Sequence, residues 1–133
     1  MPSKTTTERA RKKLREGKSP TTAAGEFVHE EIEHVREGKH GAKSPQQAIA
    51  IGLSKARRAG IPLPPRKRGT KARTRQSAQR DYQVGQRKRK PRAQSKKRSK
   101  AVRAALKRQP RSTVSRRALS QQARRAARNR RKR

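Results

Sequence analysis

The chain has no cysteine and no tryptophan, a single phenylalanine, a single tyrosine, and 8 acidic residues among 133. The lack of cysteine excludes disulfides, thiolate metal sites and thiol catalysis. Two aromatics, Phe27 and Tyr82, are too few for the stacking platforms that read single-stranded nucleic acid. No run approaches the ~20 apolar residues of a membrane span. The first residues, MPSKTTTERARKKLREGK, lack the apolar stretch of a secretory signal. P-loop, G-x-S-x-G and paired-carboxylate patterns are also missing. The expectation is a cytoplasmic protein that is not an enzyme, with no cofactor, no small-molecule substrate and no membrane.

Positive charge is what the chain has in excess. Lys and Arg number 42, and the formal net charge is +34. Such a charge calls for a polyanionic partner, and nucleic acid fits best. An anionic membrane suits less well, because interfacial helices want Trp, Phe or Leu on their apolar face and the basic segments here offer mostly Ala. The charge is uneven. Residues 1–65 hold 13 basic and 7 acidic residues, and residues 66–133 hold 29 basic residues and one acid, Asp81. The break falls at GIPLPPRKRG, where Pro62, Pro64 and Pro65 favour an extended connection.

The first part repeats itself. REGK occurs at 15–18 and 36–39, and KSPxxA at 18–23 and 43–48. In basic proteins a Ser-Pro beside Lys can be a DNA minor-groove element, but uncharged Thr21, Thr22 and Gln46, Gln47 follow these two, and apolar residues at helical spacing come next. Both therefore read as helix starts, with Ser as N-cap and Pro at the first helical position. Gly17, Gly38 and Gly60 read as helix stops. A head over 1–61 follows, with helices about 6–16 (capped by Thr5), 20–37 and 45–59. Its core is expected from Phe27, Val28, Ile32 and Val35 on one helix and Ile49 and Leu53 on the next. Gly25 and Gly52 are candidates for close helix approach. A hairpin this small usually needs help, so it is expected to form a homodimer or to dock on a partner protein.

A Pro-rich linker, 62–69, leads into a basic tail, 70–133. Short helices are expected at about 71–84, 97–109 and 113–128, with Ala101, Val102, Ala105 and Leu106 on one side of the second. STVSR, 112–116, suits the cap of a basic helix better than a helix-turn-helix, whose compact turn is missing. With so few acids to offset Arg and Lys, the tail is expected to fold on binding phosphate. The fold class is thus mainly α: a small N-terminal helical hairpin followed by an extended, partly disordered basic tail with short helices.

HEEIEH, 29–34, invites a metal reading. However, His29 and His34 are five apart and diverge by ~140° on a helix, whereas zincins need four. Glu30 and His34 share a face, but two ligands make a poor site, so no metal is expected. The acids there fit a solvated face that offsets nearby cations and turns phosphate toward the tail.

KSPTTAAGEFVHEEIEHVREGKHGAKSPQQAIAIGLSKARRAGIPLPP, with RDYQVG and RALSQQARRAARNR further on, resembles a family of small, highly basic bacterial proteins of unknown function. The resemblance implies a bacterial, cytoplasmic protein and brings no activity or catalytic residue.

The expected function is sequence-tolerant nucleic-acid binding through phosphate contacts, with DNA favoured over RNA: nucleoid-associated DNA binding and compaction. The alternatives are an RNA- or ribosome-associated basic protein and a protein-interaction adaptor. The expected contacts are Arg66, Lys67 and Arg68 in the linker; Arg87, Lys88, Arg89, Lys90 and Arg92; Lys96, Lys97 and Arg98; and Arg116, Arg117, Arg124, Arg125, Arg128, Arg130 and Arg131.

Overall fold

A computed structural model of the chain describes residues 3–132. Among them are six α-helices and one 3-10 helix, and no strand. They are α1 (Lys4–Arg15), α2 (Pro20–Arg36), α3 (Pro45–Arg58), α4 (Ala72–Gly85), α5 (Lys96–Lys107), the 3-10 helix (Arg111–Val114) and α6 (Arg116–Arg131).

The local rules of the first half hold with small shifts. Ser19 Oγ accepts from Thr22 N at 3.3 Å and Ser44 Oγ from Gln47 N at 3.2 Å, so both KSP strings open helices. α1 is capped by Ser3 rather than Thr5, with Ser3 Oγ accepting from Thr6 N at 3.1 Å. Gly17, Gly38 and Gly60 have φ of +80°, +79° and +100°. After each, the next amide reaches back over the last turn: Lys18 N to Lys13 O at 3.0 Å, Lys39 N to His34 O at 3.0 Å and Ile61 N to Ala56 O at 3.1 Å. This bond satisfies an orphan carbonyl and reverses the chain.

The second half is where expectation and structure part. The tail is not extended or partly disordered: α4, α5, the 3-10 helix and α6 cover most of residues 72–131. The hairpin-plus-tail fold class therefore gives way to an all-helical one. Ser95 and Ser115 cap α5 and α6 through their side chains. α4 ends on Arg87, a non-glycine residue at φ +60°, with Lys88 N bonded to Gln83 O at 2.9 Å.

The compact units do not follow head, linker and tail. One comprises Met1–Glu30 with Ala50–Ala93, and the other Glu31–Ile49 with Gln94–Arg133. α2 and α3 each contribute residues to both.

In the first unit the core is Ala10, Ala23, Ala24, Phe27, Ala56 and Ile61, with Leu14, Leu53, Ala59 and Leu63 packed against it. α2 and α3 meet where a Cβ on Gly52 would lie 2.6 Å from Val28 Cα. α4 joins this unit through its end: a Cβ on Gly85 would run into the Arg57 carbonyl oxygen. Gln86 Nε2 also donates to Gly60 O at 3.2 Å. In the second unit Val35, Ala42, Ala48 and Val114 are buried together, with Ile32 against them. Arg36 Nε donates to Val114 O at 3.2 Å, and the Arg111 guanidinium covers Gly38.

Of the six expected core positions, Phe27 and Leu53 belong to the first cluster, Ile32 and Val35 to the second, and Val28 and Ile49 lie outside both. Phe27 and Val35 are fully buried, and Val28, Ile32, Ile49 and Leu53 are partly so.

Of the two candidate glycines, Gly52 makes a close approach and Gly25 has nothing within 4 Å of an added Cβ. Gly52→Ala should cost about 1–3 kcal/mol in urea unfolding, because Val28 backbone must move. Gly25→Ala should gain up to about 1 kcal/mol from helix propensity. Arg87→Gly should also stabilise, by about 1 kcal/mol, by relieving a left-handed non-glycine residue.

Candidate nucleic-acid interface

Every basic residue expected to contact phosphate is solvent-exposed. Arg66, Lys67 and Arg68 lie on the connection before α4, where the Lys67 carbonyl accepts from Arg75 Nη1 at 2.8 Å. Arg87, Lys88, Arg89, Lys90 and Arg92 follow α4. These eight belong to the first unit, and Lys96, Lys97, Arg98 and the α6 arginines to the second.

Helix geometry sorts the second set. At 3.6 residues per turn, Arg117, Arg124, Arg125, Arg128 and Arg131 fall within an arc of about 120° on α6. Arg116 and Arg130 lie outside that arc. The opposite side carries the partly buried Leu119, Gln122 and Ala126. On α5, Lys96 aligns with Lys100, Arg103 and Lys107, all four exposed. Their i, i+4, i+7, i+11 spacing makes a stripe about 16 Å long with a cation every ~5 Å. Lys97 and Arg98 point to other sides of that helix.

Lys100, Arg103 and Lys107 were missed because density of charge, not its period, drew attention to KKR at 96–98. The spacing that finds them is visible in the sequence. The apolar side expected for α5 is not a core: Ala101, Val102 and Ala105 are exposed, and Leu106 is partly buried.

The acids hold cations of the first 65 residues. Glu26 pairs with Lys13, Glu16 with Lys18 at 3.2 Å, Glu33 with Arg36 at 3.3 Å and Glu37 with Lys39 at 3.2 Å. Asp81, the single acid after residue 65, faces back to α3. Its Oδ2 accepts from Ser54 Oγ at 2.7 Å, and its Oδ1 lies 3.9 Å from Arg58 Nε. Arg57, which donates from Nε to Leu63 O at 2.9 Å, is held below its ordinary pKa by burial, against the opposing pull of Asp81.

A second cluster has different chemistry. Glu31, fully buried, lies between His34 one turn on and His40 in the loop after α2. His40 Nε2 is 2.9 Å from Glu31 Oε2, and His34 Nδ1 is 3.9 Å from Glu31 Oε1. The imidazoles meet edge to face with centroids 5.7 Å apart. The expectation of no metal weighed only residues 29–34. The structure takes Glu31 instead of Glu30, leaves His29 exposed and outside the group, and adds His40. The signal for His40 was the Gly38 stop, which turns the chain back over the last turn of α2.

Fold and surface define an all-helical, strongly basic protein with exposed cationic helix faces. Residues 3–68 match the model of a family described as a family of unknown function (DUF6496). RDYQVG and RALSQQARRAARNR lie outside the match. No curated protein and no solved structure matches the chain. No helix among the described residues is long and apolar enough to cross a membrane.

Asp81→Asn should lower stability by about 1–3 kcal/mol, since it removes a charged acceptor from a half-buried hydroxyl. Chemical unfolding followed by circular dichroism checks this.

Proposed function

We propose that the chain is a sequence-tolerant nucleic-acid-binding protein that grips duplex DNA through phosphate contacts and acts in compacting it. One observation carries this reading: 29 of the 42 basic residues follow residue 65, accompanied by one acid, and those that align do so on exposed faces of α5 and α6. A polyanion relieves the mutual repulsion of these cations and releases its own condensed counterions. The scarcity of aromatics argues against reading of unpaired bases. The Arg content of α6 suits phosphate forks and narrow grooves, where guanidinium geometry counts.

Affinity should fall steeply with salt. If about eight to ten cations engage phosphates, the slope of log K against log salt on duplex DNA should lie near −7 to −9. Replacing Lys96, Lys100, Arg103 and Lys107 together by Gln should reduce its magnitude by about 3–4, since each phosphate contact contributes about 0.9. Circular dichroism would check that the helices survive. A wild-type slope near −2, or a quadruple variant with unchanged slope, overturns the reading. Affinity purification after DNase or RNase distinguishes the polymers: loss of partners with DNase supports DNA, and loss with RNase alone moves the reading to RNA.

A further inference from the structure

We propose that Glu31, His34 and His40 form a binding site for a divalent transition-metal ion of the zinc class. The ligand atoms are a Glu31 carboxylate oxygen, His34 Nδ1 and His40 Nε2.

The first ground is convergence. One ligand atom from each residue lies within 4.8 Å of the other two. Tetrahedral zinc, with bonds of ~2.0–2.1 Å, places its ligand atoms ~3.3 Å apart. Glu31 reaches His40 Nε2 with Oε2 at 2.9 Å and His34 Nδ1 with its other oxygen, Oε1, at 3.9 Å, so the site closes by drawing the three ligand atoms from within 4.8 Å to that spacing.

The second ground is the orientation of His40. Its Nδ1 lies 3.3 Å from the Gly41 carbonyl oxygen, which can accept a hydrogen bond from it. That contact leaves Nε2 turned toward a carboxylate oxygen 2.9 Å away. A shared proton can occupy that gap, and a metal ion would take its place. Metal-bound histidines are commonly fixed in this way, by donating the far N–H to a backbone carbonyl.

The third ground is how the backbone delivers the residues. Glu31 and His34 are one turn apart near the end of α2, hence on one face. Gly38 at φ +79° and the Lys39 N to His34 O bond fold the chain back, which brings His40 to that face. A net charge of +34 would repel a cation elsewhere, but five of the eight acids lie in residues 26–37. Two imidazoles with one carboxylate favour zinc, cobalt or nickel over calcium or magnesium, which take oxygen ligands. Three protein ligands leave a fourth position for water. The bound ion would pin the loop 37–42 to α2.

The test uses the full, untagged chain after chelator treatment, titrated with Co2+ and Zn2+. The expected result is one cobalt ion per chain with the visible absorption of a four-coordinate site, displaced by zinc, and a thermal midpoint that rises with zinc concentration. His40→Gln should weaken binding by at least the ~10–100-fold that loss of a supporting partner costs. His34→Gln should do the same, and His29→Gln should change nothing. If either cluster variant loses its helical dichroism, cobalt-induced shifts of the His34 and His40 ring signals in the wild-type chain, with His29 unmoved, give the same support. Absence of saturable one-to-one uptake overturns the proposal. So does uptake that survives both cluster substitutions, or equal loss in His29→Gln. The three residues would then be an ion-paired group only.

Discussion

The close approach of backbones, forced by a shortage of large apolar side chains, is the constraint on which the structure depends. Six of the ten buried hydrophobic residues are alanine. An alanine buries little surface, so helices joined by alanine gain only if they come near enough for backbone atoms to touch. That requires positions without a Cβ where chains cross. Gly52 against Val28, Gly85 against the Arg57 carbonyl and Gly41 against the Leu106 carbonyl supply them. Phe27, Ile61, Val35 and Val114 are the larger side chains at the centre of this tight arrangement. The surface can then be given over almost wholly to charge.

Much of the first half was legible because its signals are local. A Ser-Pro pair states where a helix begins, and a glycine with a left-handed φ states where it ends, whatever else the chain does. The second half hid its order because the features that anchor it are single and aperiodic. Asp81 is one acid among many bases, Val114 one valine in a polar string, and Gly85 a residue that looks like a stop. None forms a stripe. Like-charge repulsion follows from the number of cations, whereas the order of the second half follows from long-range attachments. Docking of α4 at the end of α3, and of the Arg111–Val114 turn at the end of α2, joins residues 26 to 78 apart in sequence.

The same division applies to function. Individual cations can be read from composition, and all those chosen are exposed. Their grouping depends on helix phase, which is why the stripe on α5 extends beyond the KKR string that drew notice. The Glu31–His34–His40 group lay further out of reach. Its third member belongs to a loop, and only the reversal at Gly38 sets that loop against the helix. Charge distribution separates the two sites: the acids that neutralise cations in the first half are also the local field in which a metal ion could rest, while the second half has one acid to set against its cations.

The two compact units alternate along the chain, and this affects what any fragment can be. The segment that matches the family model ends at residue 68. By then the chain has supplied Phe27, Ile61 and the α2–α3 crossing, but neither α4, which docks beside Arg57, nor Val114, which fills the centre of the other unit. The matched segment therefore holds every residue of the first core, but only part of the second, which waits for Val114. In synthesis from the ribosome the first unit can close once α4 has emerged. The second must wait for nearly the last helix, so the most basic part of the protein is also the part that completes its fold.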